Sequence, residues 1–282
     1  MSLTPLQSCP TESLRQVRLI ATDMDGTLTR CGKFSSALLQ SLEQLAAAEL
    51  PVIIVTGRSA GWVNGVVSYL PVMGAIAENG GIYFGGRAAQ QEHGRFLVPI
   101  SDLQAHRLQL QKMFQQLQQE FPKLEEAGDN RFRLTDWTFA VQGLSTADLH
   151  RIRDRCHAHG WGFTYSTVQC HIKPLAQEKA TALAQVIQAD FAPLPTSQVI
   201  TVGDSPNDES LFDGDRFPFS IGVANVLHYT QDLTHHPAYV TEQPEVDGFC
   251  ELVRSLLQAR REGLNDQHNH QPCGKHSSMP EQ

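Results

Sequence analysis

The sequence predicts an α/β protein in which a doubly wound parallel sheet carries an inserted α+β domain. Near both ends of the chain, short apolar runs alternate with stretches of helical periodicity, the pattern of a parallel sheet with right-handed crossovers. Between them, after Gly85-Gly86, a long Gln-rich amphipathic stretch precedes alternating segments that are typical of an antiparallel sheet. We therefore expect a Rossmann-like core with a separate unit inserted into it.

Each core element follows from its periodicity and from the residues that end it. Buried strands are predicted at residues 17–22, 52–55, 72–77, 198–202, 218–223 and 238–240. Helices are predicted at residues 36–48, 59–70, 177–189, 206–212 and 246–261. Pro51 stops the first helix, Ser59 suits the N-cap of the second, and Pro206 suits the first turn of the fourth.

The insertion has its own order of elements. Its helices are predicted at residues 103–120 and 146–159, and its strands at 131–135, 138–142, 161–165 and 168–173, the first two forming a hairpin. We expect the core to comprise residues 1–85 and 173–261 and the insertion to comprise 86–172. The polar residues 262–282 are expected to form a disordered tail.

Length and composition limit the possible functions. A chain of 282 residues suits about two domains. The net charge of −8 and the lack of a basic run disfavour binding to nucleic acid or to an anionic membrane. No apolar run approaches the ~20 residues of a membrane span, and no secretory signal is recognisable. The six scattered cysteines are expected to be reduced thiols of a cytoplasmic protein.

Two acidic residues follow the first predicted strand. Asp23 and Asp25 project to the same side of an extended chain, and Gly26 permits a sharp turn after them. Ligands of open α/β sheets bind at this end of the strands. A turn with two capping acids would give the same spacing. An EF-hand is excluded, because Leu28 and Phe34 stand where its loop needs Gly and Glu.

Further polar residues follow other core strands or begin helices. Asp204 ends the fourth core strand and Asp208 lies in the next turn, so that with Asp23 they could ligate Mg²⁺ through oxygen, although acids also favour helix N-termini. Lys179 lies in a first helical turn, where the macrodipole disfavours a cation. A bound anion would explain it better than solvent does. Thr56 and Gly57 offer a hydroxyl and an N–H to a phosphate, though a turn needs no more.

Together these motifs resemble the haloacid dehalogenase superfamily of phosphatases. The resemblance rests on Asp23-Met-Asp25-Gly-Thr, Thr56-Gly57-Arg58, Lys179, Gly203-Asp204-Ser-Pro-Asn207-Asp208, and also Glu78-Asn79-Gly80-Gly81 and Asp247-Gly248. It extends to about residue 260. The insertion looks like a type IIB cap, which points to the Cof-type subfamily, similar to sucrose-phosphate and mannosylphosphoglycerate phosphatases. Ala180 departs from the Gly that often follows the motif lysine.

The resemblance implies a role for each motif residue. Asp23 would attack phosphorus to give an aspartyl-phosphate, and Asp25 would protonate the leaving alcohol and then activate water. Phosphate binding is assigned to Thr56, Gly57, Lys179 and Asn207, of which Thr56 and Lys179 are also catalytic. Mg²⁺ binding is assigned to the side chains of Asp23, Asp204 and Asp208 and to the backbone carbonyl of Asp25.

The preferred interpretation is an Mg²⁺-dependent phosphatase acting on a small phosphorylated metabolite, with a sugar phosphate as the expected substrate. A phosphomutase is an alternative, but related phosphomannomutases carry Ser-Gly where this chain has Thr56-Gly57. A non-catalytic binding module is a third, and the intact acids disfavour it. The cap should contact the substrate, with Arg133 and His171 as first candidates. Its other polar or aromatic strand residues are expected on an exposed face: Arg131, Asp136, Trp137 and Lys173.

Overall fold

The computed structural model describes residues 3–85, 94–166 and 168–269. Within them, eight strands form the main sheet in the order β11-β10-β9-β1-β2-β3-β4-β5. The six strands from β11 to β3 run parallel, and β4 and β5 extend the sheet antiparallel at one edge. The strands are β1 (Leu19–Thr22), β2 (Val52–Val55), β3 (Gly74–Ala77), β4 (Ile82–Gly85), β5 (Arg95–Phe96), β9 (Val199–Gly203), β10 (Ser220–Gly222) and β11 (Tyr239–Val240).

Helices cover both faces of this sheet. Its helices are α1 (Thr11–Arg15), α2 (Ser36–Ala47), α3 (Ala60–Val67), α6 (Lys179–Asp190) and α7 (Glu245–Asn269). Successive side chains of a strand point to opposite faces, so Ile20 joins the apolar cluster under α2, α3 and α7, while Leu19 and Ala21 join the cluster under α6. Burial on both faces explains why β1 and β2 are apolar except for Thr22.

A second sheet lies in the insertion between β5 and α6. It is antiparallel, with the order β6-β8-β7, and consists of β6 (Trp137–Ala140), β7 (Trp161–Tyr165) and β8 (Gln169–Pro174). Helices α4 (Leu103–Glu120) and α5 (Thr146–Ala158) share a separate apolar cluster with it. We call this unit, β6 to β8 with α4 and α5, the cap. The fold class predicted from the sequence is confirmed.

The structure corrects three predicted boundaries. Residues 95–96 pair with β4, so the chain returns to the main sheet after residue 86 and the cap begins later than expected. The predicted strand 131–135 is instead a short 3₁₀ helix, Asn130–Phe132, because Asn130 turns its amide onto the backbone of Thr138. Helix α7 continues to Asn269, since polar residues such as Arg261 and Glu262 are good helix formers. The rest of the predicted tail, 270–282, lies outside the described residues.

No helix among the described residues is long and apolar enough to cross a membrane.

Gly81 lies where β3 and β4 meet the cap, and it has no room for a side chain. A Cβ there would stand 1.9 Å from Thr135 Oγ1, and Thr135 is itself buried. We expect Gly81→Ala to destabilise the protein by about 1–3 kcal/mol through overpacking. Gly65→Ala is the control, because Gly65 lies in α3 with open space around it, and this change should stabilise by roughly 0.5–1 kcal/mol. Chemical denaturation measures both, and equal stabilities would contradict the prediction.

Candidate active site

The polar residues predicted from the sequence meet at the carboxyl edge of the parallel strands. Asp23 directly follows β1, Thr56 follows β2 and Asp204 follows β9. Backbone bonds continue the strand pairing one residue further, from Asp23 N to Val202 O at 2.8 Å and from Thr56 N to Ile76 O at 2.9 Å. The sheet therefore fixes the backbone position from which each of these side chains extends.

Three carboxylates form a buried cluster at this edge. Single oxygens of Asp23, Asp204 and Asp208 lie within 4.8 Å of one another. Burial, and then the charge of Asp208, raise the pKa of Asp23 to about 8 against the opposing effect of Lys179. Burial and the charge of Asp23 likewise raise the pKa of Asp204 well above its usual range. The cluster thus carries more negative charge than its surroundings offset.

One ammonium group enters the cluster. Lys179 Nζ lies 2.6 Å from Asp23 Oδ1 and 2.6 Å from Asp208 Oδ1. Burial alone would lower the pKa of Lys179, but Asp208 and Asp23 outweigh it and raise the pKa, so the lysine stays charged. One cation facing three carboxylates leaves an excess of negative charge. An all-oxygen donor set of this kind fits Mg²⁺.

Hydrogen bonds hold the acids in place. Asp204 accepts from Thr27 Oγ1 at 3.0 Å and from Asn225 Nδ2 at 2.8 Å. Asp208 Oδ2 accepts from the backbone N–H of Asp204 at 2.9 Å. Gly26 has a φ of +82°, and a Cβ there would stand 2.5 Å from Asp204 Oδ2. A glycine is therefore required at this position of the first motif, where the backbone approaches Asp204.

Asp25 is held by a residue that the sequence analysis did not place in the site. Arg58 binds it with two hydrogen bonds, Nε to Oδ2 at 2.7 Å and Nη2 to Oδ1 at 2.5 Å. The guanidinium also lies 5.6 Å from the ring centroid of Trp62. Only its place as the third residue of Thr56-Gly57-Arg58 could have indicated this role.

The cap closes over these residues and leaves a small cavity. The space between core and cap amounts to about 10 Å³, room for a single water molecule. From the core it is lined by Asp23, Asp25, Gly57, Arg58, Ser205 and Asn207, and from the cap by Ser166, Val168, Gln169 and His171. The predicted candidate His171 therefore does face the catalytic residues.

Arg133, the other predicted cap candidate, does not line the cavity. It is 2% exposed and donates to Asp136 Oδ1 at 3.0 Å, to Asp129 Oδ2 at 2.8 Å and to the backbone oxygen of Gly57 at 2.9 Å. The expectation of an exposed strand face is also wrong for Asp136, Trp137 and Lys173, which are buried. Arg131 is exposed, as expected.

Asp136 orients the imidazole of His171. Its Oδ2 lies 2.8 Å from His171 Nδ1. Burial would raise the pKa of Asp136, but Arg133 and His171 outweigh it and lower the pKa, so the carboxylate is ionised. Burial lowers the pKa of His171. We infer a neutral imidazole whose Nδ1–H donates to Asp136 and whose Nε2 is a hydrogen-bond acceptor.

The predicted site also omitted Glu78 and Asn79. Both have a φ of +54°, which is uncommon for residues other than glycine, and both are buried. The Glu78 carboxylate accepts from Ala60 N at 2.8 Å in α3 and from Thr135 N at 2.6 Å at the edge of the cap. The signal was present in the Glu-Asn-Gly-Gly motif after the third strand.

Comparison with known proteins agrees with this geometry. Residues 20–93 match the family described as haloacid dehalogenase-like hydrolase. The phosphoglycolate phosphatase of Methanothrix thermoacetophila is 24% identical over 247 residues, which cover 86% of this chain and 98% of that protein. Among solved structures, protein 0175 of Thermoplasma acidophilum shares the fold with a TM-score of 0.69 at 19% identity, covering 86% of this chain and 98% of that one.

The sucrose-phosphatase of Synechocystis sp. PCC6803, solved with sucrose and phosphate, also shares the fold. Its TM-score is 0.63 at 17% identity, covering 86% of this chain and 98% of that one. Fold, motifs and relatives together define a haloacid dehalogenase-like phosphatase. The similarity is to haloacid dehalogenase-like phosphatases of the Cof type.

Removal of divalent metal should destabilise the protein. The carboxylates of the cluster repel one another without a cation, so chelation should lower the melting temperature and Mg²⁺ should restore it. At an Mg²⁺ concentration 100 times the Kd, the free energy of unfolding should rise by about 2.7 kcal/mol. Asp204→Asn removes one charge and one ligand. The chelated variant should therefore melt above the chelated wild type and respond little to Mg²⁺. An equal Mg²⁺ response in both proteins would contradict the assignment.

Proposed function

We propose that this phosphatase is Mg²⁺-dependent and hydrolyses a small phosphorylated metabolite through an aspartyl-phosphate on Asp23. The observation that carries the proposal is the contact of Lys179 Nζ with Asp23 Oδ1 at 2.6 Å inside the three-carboxylate cluster. It supports the proposal because Asp23 then lies beside a cation and beside carboxylates that could bind Mg²⁺. Attack on a phosphoryl group needs these three elements together.

Each residue has a distinct part in the proposed reaction. Asp23 supplies the attacking oxygen, and Lys179 offsets charge on the phosphoryl oxygens. The hydroxyl of Thr56, the N–H of Gly57 and the amide of Asn207 bind those oxygens. Mg²⁺, held by Asp23, Asp204, Asp208 and the carbonyl of Asp25, would offset negative charge on the phosphoryl group.

Asp25 acts as the proton carrier in this scheme. It protonates the leaving oxygen in the first half of the reaction and takes a proton from water in the second. Arg58 donates one hydrogen bond to each oxygen of Asp25, and each oxygen keeps a further lone pair that can carry the proton. Arg58 can therefore keep the carboxyl group oriented throughout the reaction.

Substitution of the two motif acids should give different defects. Asp23→Asn should abolish turnover, since an amide is a poor nucleophile. Asp25→Asn should slow hydrolysis of alkyl phosphates by about 10²–10⁴-fold but still react with an activated aryl phosphate and accumulate the phosphorylated enzyme. Phosphate release and intact-protein mass spectrometry measure both, with Asp154→Asn, at an exposed residue of α5, as the control. Turnover by a folded Asp23→Asn protein would refute the proposal.

We propose that the unit which opens to admit substrate is the cap, from α4 to β8, residues 103–174. The closed cavity of about 10 Å³ holds no leaving group larger than a few atoms, so binding requires the cap to move. The leaving group would then lie between Asp25 of the core and Gln169 and His171 of the cap. The substrate is therefore selected by what these cap residues can accept.

A sugar phosphate is the substrate that this surface supports best. The cap residues facing the core offer Ser166, Gln169 and the acceptor Nε2 of His171, which suit hydroxyl groups. Among the described residues, the two cations beside them are already paired, Arg58 with Asp25 and Arg133 with Asp129 and Asp136. Phosphoglycolate is the second candidate, favoured by the names of the relatives.

His171 should affect large substrates and spare the smallest. We expect His171→Gln to lower kcat/KM for hexose phosphates by about 10-fold, the effect of one hydrogen bond, while acetyl phosphate changes less than about 2-fold. His159→Gln is the matched control, since His159 is an exposed cap histidine. A panel of esters that includes phosphoglycolate measures the pattern. An equal loss on every ester would show that His171 does not contact the leaving group.

A further inference from the structure

A chain of hydrogen bonds between side chains ends at an amide without a partner. Ser205 Oγ donates to Asn207 Oδ1 at 2.8 Å, and Asn207 Nδ2 donates to Asn79 Oδ1 at 3.1 Å. Among the described residues Asn79 Nδ2 has no hydrogen-bond partner, although Asn79 is only 1% exposed. A buried donor left unpaired is costly unless a ligand completes it.

This amide lies at the phosphate-binding edge of the site. Its Nδ2 and Oδ1 are 3.2 and 3.3 Å from the position that a Cβ on Gly57 would take, and His171 Cε1 is 3.1 Å from the same point. Gly57 itself lines the cavity with Asp23. On its other side Asn79 lines a second cavity of about 170 Å³ together with Lys179 and Asn207. Asn79 therefore lies between Gly57 on one side and Lys179 and Asn207 on the other, and the proposed function assigns all three to the phosphoryl oxygens.

The backbone holds this side chain rigidly. Asn79 N donates to Thr56 O at 2.9 Å, and Glu78 N donates to Arg58 O at 3.0 Å, so the segment is tied to the Thr56-Gly57-Arg58 loop. The φ of +54° at Asn79 is a conformation that asparagine tolerates better than most residues. Backbone strain that the surrounding structure maintains is typical of functional sites.

The identity of the ligand follows from its charge. Either orientation of the Asn79 amide leaves one of its polar atoms unpaired, because Asn207 can satisfy only the other. A phosphoryl oxygen is anionic and accepts hydrogen bonds, so it selects the orientation in which Oδ1 accepts from Asn207 and Nδ2 is left to donate.

We propose that Asn79 is a further phosphoryl-binding residue, whose Nδ2 donates a hydrogen bond to a non-bridging oxygen of the transferring phosphoryl group. The inference rests on the proposed function. Asn79 adds a donor fixed before substrate arrives, which is the arrangement that stabilises charge in a transition state. Gly57 has no side chain, and this leaves room for Asn79 and His171 beside the loop.

Two substitutions separate binding from folding. Asn79→Asp keeps the shape of the side chain and its tolerance of positive φ but replaces the donor with an anionic acceptor. Asn79→Gly keeps the backbone conformation and removes the side chain. Orthovanadate with Mg²⁺ serves as the probe, because vanadate resembles the phosphoryl group in the transition state and carries no leaving group.

We expect Asn79→Gly to weaken vanadate affinity and kcat/KM by about 10- to 100-fold, the effect of a hydrogen bond to a charged group, and Asn79→Asp to weaken both further through repulsion. Unlike the change at His171, the loss should be the same for acetyl phosphate and for hexose phosphates. Asn130→Asp is the matched control. Asn130 is buried in the cap with both amide atoms bonded to Thr138, so this variant should lose stability but keep vanadate affinity.

Vanadate affinity and kcat/KM unchanged in both Asn79 variants would overturn the inference. So would a lower melting temperature with unchanged vanadate affinity, which would show a structural role only. A wild-type protein that hydrolyses no ester, yet binds vanadate in a manner that depends on Asn79, would refute the proposed function and support the inference.

Discussion

The structure depends on the burial of three carboxylates around one ammonium group at the edge of a parallel sheet. Asp23, Asp208 and Lys179 come from different elements, yet Nζ of Lys179 lies 2.6 Å from an oxygen of each of the two carboxylates. Charges buried in this way are costly unless they are paired. The cost is offset by the apolar faces of the sheet, which hold the strand ends in register, and by any cation that the excess negative charge attracts. The site is thus destabilising in itself and is maintained by the fold around it.

The same loop that holds the phosphate-binding residues also joins the core to the cap. Arg133 of the cap donates to the backbone oxygen of Gly57, and the Glu78 carboxylate accepts from Ala60 of α3 and from Thr135 beside the cap. Burial raises the pKa of Glu78, and the charge of Asp136 adds to this, so Glu78 is a strained but fully hydrogen-bonded acid. The position of the cap and the shape of the phosphate-binding loop are therefore coupled through a few polar contacts.

The sequence was sufficient for features that depend on local pattern. The core strands, the acids at their ends and Lys179 in a first helical turn all follow from periodicity and from known helix preferences. It was insufficient where a distant contact decides the outcome. Arg133 was expected to contact the substrate from a cap strand, whereas the structure buries it against Asp129, Asp136 and Gly57. Strands β4 and β5 were missed as well, because the sequence did not indicate their antiparallel pairing with β3 and with each other.

The charges within the cap are compensated inside the cap. Arg133 is bonded to Asp129 and Asp136, and Asp136 in turn orients a neutral His171. The cap consequently adds little net charge to the cavity, so in the proposed reaction the charge of a phosphoryl group would be met by Lys179 and by a metal ion on the core. What the cap can contribute is shape and hydrogen bonding. This division explains how one core can serve any phosphate ester, while selection among esters depends on neutral polar groups whose orientation a buried ion pair keeps fixed.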